Sequence, residues 1–371
     1  SPLTMEPVTL GDIKSVNRPA SLDDQSASMH SGSIPANNQP SSMSQSLLKP
    51  TKPKSLFSKA KLLFVLSFCL SVLALSAWFI KPVHYHIHDF WVHTIQGKEN
   101  ARGVSNTEIN IGMSAAFSGS AKELGRSMRI GVETYFKAVN DAGGIHGRVL
   151  NLIAENDKYE PVQAQENIKK FLNPSSGVLA LLGNVGTPTA KAILPTVLEN
   201  NTILFGTFSG ASLLRNDPPD RYVFNYRASY AEETEAIVHY FVNSKKIAAR
   251  NVAVFYQDDS FGQDGLSGVE KALSEYQINK ADIITASYQR NTSRVTEAIN
   301  AFSDKLENIE GIIIVGTYSA SAAFTRDIKN AGFDGHIANV SFVGANALAE
   351  LLLELGPRYA EKVLITQVVP I

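Results

Sequence analysis

Residues 109–157 read INIGMSAAFSGSAKELGRSMRIGVETYFKAVNDAGGIHGRVLNLIAEND. The stretch and its flanks hold a β-rich run, "EINIGMSA" (108–115), then an amphipathic run, "GRSMRIGVETYFKAVNDAGG" (125–144), and then a second β-rich run, "RVLNLIAEND" (148–157). A strand, a helix of that length and a further strand are joined most simply as two parallel strands with a right-handed crossover. Gly143 and Gly144 fall where the helix should stop, because the left-handed C-cap conformation suits a residue without a Cβ.

The same alternation runs on to the end of the chain. Further strand candidates are "VLALLGN" (178–184), "TILFGTF" (202–208), "NVAVFYQD" (251–258), "ADIITASYQ" (281–289), "GIIIVGTY" (311–318), "IANVSFVG" (337–344) and "KVLITQVV" (362–369). Helix candidates between most of them are "VQAQENIKKFL", "TAKAILPTVLEN", "AEETEAIVHYFVNS", "GLSGVEKALSEY", "SRVTEAINAFSDKL" and "SASAAFTRDIKNAG", the last stopping at Gly332. These runs predict an α/β fold with parallel sheets. "DRYVFNYRASYAEE" (220–233) interrupts the alternation around Tyr222 to Tyr230. An interruption there suits a crossing between two sheets, hence two Rossmann-like lobes, about 107–228 and 229–371, with a cleft between them.

In open parallel sheets ligands sit beyond the carboxyl ends of the strands. In the first half those loops are short and hydroxylic. "FSGS" holds Ser118 and Ser120, "GNVGTPTA" holds Gly186 and Thr187, and "GTFSGAS" holds Thr207, Ser209, Gly210 and Ser212. Hydroxyls and free amides at a helix start suit a carboxylate, because the N-terminus carries orphan donors and partial positive charge. The same hydroxyls serve elsewhere simply as N-caps. In the second half the loops are aromatic and acidic: Asp258, Asp259 and Phe261 in "YQDDSFGQDG", and Thr317, Tyr318 and Ser319 in "VGTYSAS". "SFVGANALAE" reads as a further loop, supplying Asn346. Aromatic walls with a few polar groups suit a small-ligand cleft, although Phe261 and Tyr318 could equally be packing residues.

A catalytic alternative is an α/β hydrolase using Ser114, which follows a strand in "GMSAA". In a nucleophile elbow a second glycine stands where Ala116 is found, and neither His239 nor His336 is marked as a partner. No G-x-G-x-x-G follows any strand and no Walker A sequence is present, which disfavours nucleotide cofactors. No cofactor is expected. Lys and Arg number 34 against 35 Asp and Glu, a net charge of −1, so nothing in bulk electrostatics points to nucleic acid.

Residues 1–58 are rich in Ser, Pro, Asn and Gln and lack apolar periodicity, which predicts a disordered tail. The chain does not begin with Met, so it is either a fragment or starts at an internal Met such as Met5 or Met43. "LLFVLSFCLSVLALSAWFI" (62–80) is an uncharged run of roughly nineteen residues, long enough for a transmembrane helix. Lys49, Lys52, Lys54, Lys59 and Lys61 precede it and Lys81 follows closely, which puts the N-terminus in the cytoplasm and the rest outside, with the protein at the inner membrane. Trp78 and Trp91 suit the outer interface. A signal peptide starting at Met43 and cleaved near Ala74 and Ser76 is the rival reading. The single cysteine, Cys69, lies in the run after bulky Phe68, which argues against lipidation, and no intramolecular disulfide is possible. His84, His86, His88 and His93 in the juxtamembrane linker, 81–106, read as an interfacial segment better than as a metal site, since Asp89 alone would complete a ligand set.

Three blocks together carry a resemblance. Residues 109–157, "LFGTFSGASLLR" (204–215) and "VAVFYQDDSFGQDGL" (252–266) resemble type I periplasmic binding proteins of the leucine/isoleucine/valine-binding class, and the likeness runs from about Glu108 to the end. The resemblance implies two α/β lobes that close on a ligand without chemistry, serving an ABC permease or a membrane-anchored signalling module. It points to Thr187, Phe208 and Ser209 for the ligand's carboxylate and amino group and to Phe261 and Tyr318 as the second lobe's aromatic cover; the hydroxylic loop "FSGS" adds Ser118 at the anionic end. Amino-acid binders of that class often carry an acidic residue just before the last of these loops, whereas here the text is "SFVGANAL". The family's domain also continues beyond a block like "VLITQVVPI", back into the first lobe, so a truncated C-terminus is expected.

Overall fold

The computed structural model describes residues 101–368. The tail, the apolar run, the rival cleavage site, Cys69 and the four linker histidines therefore lie outside the described residues. Among the described residues no helix is long and apolar enough to cross a membrane.

Two five-stranded sheets form, both parallel throughout. The first contains β1 (Glu108–Ala115), β2 (Val149–Asn156), β3 (Ala180–Leu182), β4 (Ile203–Phe205) and β5 (Val223–Phe224), in the order β2-β1-β3-β4-β5. Between them run α1 (Lys122–Asp141), α2 (Pro161–Phe171) and α3 (Thr187–Glu199). The second contains β6 (Val252–Gln257), β7 (Ile284–Tyr288), β8 (Gly311–Val315), β9 (His336–Asn339) and β10 (Val363–Ile365), in the order β10-β9-β8-β6-β7. Its helices are α4 (Tyr230–His239), α5 (Ser260–Ser274), α6 (Thr296–Ser303), α7 (Tyr318–Asn330) and α8 (Ala345–Leu355). Each sheet starts in its interior, winds once to one edge and then to the other, which places a switch point at the carboxyl ends of its strands.

Burial on both faces explains the residue choice at the centre of the second sheet. Every residue of β8, Gly-Ile-Ile-Ile-Val, is buried, as a parallel strand covered by helices on both sides requires. Phe255 of β6 stacks on Phe324 of α7 with ring centroids 4.0 Å apart. In the first lobe Leu181, Leu204, Ile168, Phe171, Ile193 and Val197 form a separate core under α2 and α3. On the opposite face α1 covers β1 and β2, whereas Ile203, Phe205 and Phe224 are 39%, 48% and 46% exposed.

The crossing falls where the sequence is interrupted, but not as a simple linker. Val223–Phe224 forms a fifth strand on the first sheet, which the sequence reading did not expect, and the chain passes over at 225–229. Ser229 then starts α4 with a reciprocal capping box, its side chain accepting from the Glu232 N–H while Glu232 accepts from the Ser229 N–H. A second correction concerns "SFVGANALAE". It is a loop only as far as Gly344, whose φ of 85° opens helix α8, so Asn346 lies on a helix. Leu348 and Leu352, one turn apart, bury that helix.

Candidate functional site

The carboxyl ends of both sheets meet in a seam of aromatic rings, and Phe342 is its centre. Phe342 lies on the loop after β9 and is completely buried. Its ring centroid is 5.2 Å from that of Phe208 on the loop after β4 and 4.6 Å from that of Phe261 in the first turn of α5. Tyr230, the first residue of α4, stands edge-on at 6.4 Å, and Tyr159, on the loop after β2, lies at 6.3 Å. Burial pushes both tyrosine phenols upward in pKa, so both stay protonated hydrogen-bonding groups across the physiological range.

Beside these rings sits a hydroxyl trio. Thr187 Oγ1 is 2.7 Å from Ser209 Oγ and 3.3 Å from the Tyr230 hydroxyl, all three side chains being buried. Local backbone geometry puts Thr187 there. Gly186, at φ 114°, is the N-cap of α3, and a Cβ on it would come within 2.4 Å of the Tyr159 ring, so only glycine allows that close approach. No side chain caps α3, and because Pro188 carries no N–H and the Ala190 N–H donates to Gly186 O, the unpaired amides of its first turn are those of Thr187 and Thr189. Phe208 is stitched to the same loop: its N–H donates to Asn184 O at 2.7 Å and its carbonyl accepts from Gly186 N at 3.2 Å.

Polar clamps join the lobes. Arg290 of the second lobe donates to Glu160 Oε2 of the first at 2.9 Å and to Asp259 Oδ2 of its own lobe at 3.0 Å. Asn291 Nδ2 donates to Glu160 Oε1 at 2.7 Å, and its Oδ1 accepts from Ser120 Oγ at 3.1 Å. Gln257, at the end of β6, donates to the Tyr159 hydroxyl at 3.2 Å and accepts from the Tyr288 hydroxyl at 3.0 Å. The Ser212 hydroxyl donates to Asp264 of α5. At the crossing, Glu233 of α4 accepts from Ser341 N at 2.7 Å, from Ser341 Oγ at 3.0 Å and from Thr366 Oγ1 at 2.5 Å. The Arg227 Nη2 donates to Ser341 Oγ.

Of the residues expected at the site, Thr187, Phe208, Ser209 and Phe261 therefore share one cluster. Ser118 and Tyr318 belong to a different stretch of the seam. Ser118 Oγ accepts from Asn156 Nδ2 at 2.8 Å, and the Tyr318 hydroxyl accepts from the Glu123 N–H at 3.3 Å. Asp259 caps α5 through the Phe261 N–H, and Thr207 is buried next to Phe208. The sequence reading missed Tyr159, Arg227, Tyr230, Gln257 and Phe342. Arg227 and Tyr230 were present in the text that marks the crossing, and Tyr159 lies on the loop after β2, a strand end left unread.

Ser114 is placed for support, not for nucleophilic attack. It is 1% exposed, donates to Asp157 Oδ2 at 2.8 Å and accepts from Asn167 Nδ2 at 3.1 Å. None of the described histidines hydrogen-bonds it. Burial raises the Asp157 carboxyl to about 6, although the Ser114 hydroxyl and the Tyr159 N–H both favour its ionised form. Glu235 and His239 of α4 and Glu275, just past the end of α5, bring three possible metal-ligand atoms within 4.8 Å of one another.

Comparison with known proteins agrees with this geometry. The sequence profile described as "Periplasmic binding protein" matches residues 108–370. A solved structure titled as a possible leucine/isoleucine/valine-binding protein from Rhodopirellula baltica SH 1 is 36% identical, with a TM-score of 0.67 over 73% of this chain and 72% of its own. A substrate-binding periplasmic protein from Ralstonia solanacearum is 27% identical, with a TM-score of 0.63 over 71% of each chain. The Leu/Ile/Val-binding protein homolog 3 of Brucella melitensis is 25% identical over 61% of this chain, and the match spans 59% of that relative's length.

Proposed function

Since this chain belongs to the periplasmic binding protein family over residues 108–370, we propose that it captures a small polar solute, an amino acid or a related carboxylate or amide, by closing its two lobes at the seam. The observation that carries this reading is the convergence of Thr187, Ser209 and the uncapped start of α3 from one lobe with Phe261 and Phe342 from the other. The first group offers donors to an anionic end, and the second covers it with apolar surface. Ser118 and Tyr318 line a neighbouring part of the same gap.

Closure is a displacement of one sheet relative to the other about the crossing at 225–229, with Glu160, Arg290 and Asn291 joining across the lobes when shut. A solute shifts that equilibrium only by the difference between its affinities for the closed and open forms. Nothing in this requires a covalent step. The likeness to proteins titled as a possible leucine/isoleucine/valine-binding protein and as a substrate-binding periplasmic protein supports capture outside the cytoplasm; delivery to an ABC permease and a membrane anchor at 62–80 rest on the sequence alone.

The test is a thermal-shift screen of the purified 371-residue chain in mild detergent against amino acids, amides and small carboxylates. A solute at a hundred times its Kd adds ~2.7 kcal/mol to the folded form, a rise in Tm of roughly 5–10 °C for a domain of this size. If no solute raised the midpoint while an ester was turned over, the binding reading would give way to a hydrolase.

A further inference from the structure

Arg227 lies on the loop after β5, and its side chain is 1% exposed. The guanidinium carbon sits 4.3 Å from the centre of the Phe208 ring, which places it against the aromatic cluster. Its Nη2 donates to Ser341 Oγ and is 3.8 Å from Glu233 Oε1. Its Nε and Nη1 are buried and have no hydrogen-bond partner, and these two atoms carry most of its N–H donors.

A purely structural role for Arg227 accounts poorly for this arrangement. A structural Arg–carboxylate pair normally uses two parallel N–H groups on two oxygens. Here Glu233 is already satisfied by Ser341 N, Ser341 Oγ and Thr366 Oγ1, and Arg227 reaches it only from outside hydrogen-bond range. Leaving charged donors buried and unpaired is costly. Two neighbours share the condition: Asn184 (both amide atoms) on the loop after β3 and Thr207 (Oγ1) on the loop after β4 are also buried without partners. The residues that follow them, Val185 and Phe208, pair directly as a parallel bridge. Among the described residues, every first-lobe side chain with a buried, unpartnered polar atom thus lies on the loops after β3, β4 and β5, at one corner of the seam.

The buried and half-buried acidic side chains of the seam are all engaged, and Asp258, the first residue past β6, is exposed. Asp157 accepts from Ser114 and Tyr159, Glu160 from Arg290 and Asn291, Asp259 from Arg290, Gln257 and Phe261, Asp264 from Ser212, and Glu233 as above. A ligand ammonium enclosed in the seam would find no free buried carboxylate, whereas a ligand carboxylate would find a buried cation with donors to spare, and the Asn184 amide is likewise unpartnered. Phe208, Tyr230, Phe261 and Phe342 supply apolar walls beside it.

Resting on the solute-binding reading above, we propose that Arg227 is the anion receptor of the seam and that the solute is a carboxylate with an apolar, ring-sized body and no ammonium group. Parting Phe342 from Phe208 makes room for that body.

Calorimetric titration of the purified 371-residue chain with matched acid, amide and α-amino acid sets, built on one isobutyl and one benzyl body, tests this. In at least one set the acid binds about 10- to 100-fold tighter than its amide, the range for a charge-assisted pair, and tighter than its α-amino acid. Arg227→Gln abolishes the preference for acid over amide and Arg227→Lys keeps part of it, with circular dichroism melts confirming that each variant folds. If Arg227→Gln does not fold, the ratios of the unaltered chain decide. Equal binding of acid and amide, or tightest binding by the amino acid, overturns the assignment but leaves solute binding intact. Silence from both sets overturns it too, and silence from the wider screen of amino acids, amides and carboxylates removes the binding reading with it.

Discussion

Replacing Asp157 by asparagine isolates one buried proton. Asp157 has no solvent exposure; Oδ2 accepts from the Ser114 hydroxyl at 2.8 Å and Oδ1 from the Tyr159 N–H at 2.8 Å. The second bond helps hold Lys158 and Tyr159 at φ 53° and 61°, a left-handed pair that turns Tyr159 into the seam. Burial lifts the carboxyl from an ordinary 3.8 to about 6. A carboxyl that binds its proton more tightly folded than unfolded adds stability that is complete below the unfolded value and is lost as pH rises through the folded one. Two pH units of proton affinity correspond to ~3 kcal/mol, so the folded protein forfeits about that much from this group between pH 4 and pH 6. Asparagine resembles the protonated acid and carries no such penalty. Urea unfolding of both proteins at pH 4, 5, 6 and 7 therefore gives a stability difference that moves by ~3 kcal/mol in favour of Asp157→Asn, nearly all of it between pH 4 and pH 6. Other titrating groups cancel in the difference. A gap that stayed constant to within about 0.5 kcal/mol across that window would show that Asp157 keeps an ordinary proton affinity and that its burial is not felt.

Three further outcomes are expected. Phe342→Ala removes the ring that touches both Phe208 and Phe261 and costs about 3–5 kcal/mol of stability without solute, read by urea unfolding; a loss under about 1 kcal/mol would mean that the ring is not packed there. Glu160→Gln breaks the Arg290 bridge, whose side chains are 40% and 23% exposed, so it weakens closure by no more than ~1 kcal/mol and makes it less salt-dependent, seen as a larger radius of gyration by small-angle scattering at low salt. Phe205→Lys with Phe224→Lys, on a sheet face half-exposed among the described residues, lowers binding of a hydrophobic dye while changing stability by under about 1 kcal/mol; undiminished dye fluorescence would place the exposed apolar surface elsewhere.

The fold was legible because its signals are local and repeated. β1 spans the residues that the sequence delimits, 108–115, and β8 begins at the expected Gly311, since a run such as Gly-Ile-Ile-Ile-Val has few stable homes other than a doubly covered parallel strand. Two elements escaped. Val223–Phe224 is too short for any periodicity and pairs with β4 only because the crossing passes along that edge. Ala345–Leu355 carries a helical pattern in Leu348 and Leu352, but in sequence Gly344 reads as the middle of a loop and not as the start of an element.

The site divides along the same line, between what a loop contains and what it meets. Thr187, Ser209 and Phe261 were legible because strand ends face the gap in this architecture and their residue types suit it. Phe342 was not, because in "SFVG" it reads as the tail of a strand, and its role comes from Phe208, more than a hundred residues earlier in the chain. Arg227 is the sharper case. In sequence it is one cation among many in a nearly neutral chain, and Glu233 six residues on suggests a routine ion pair. Only the burial of both, the occupation of Glu233 by Ser341 and Thr366, and the two nitrogens left without partners turn it into a donor in search of an anion. The property that distinguishes it is a surplus after all neighbours are counted, and a surplus of that kind exists only once the chain has folded.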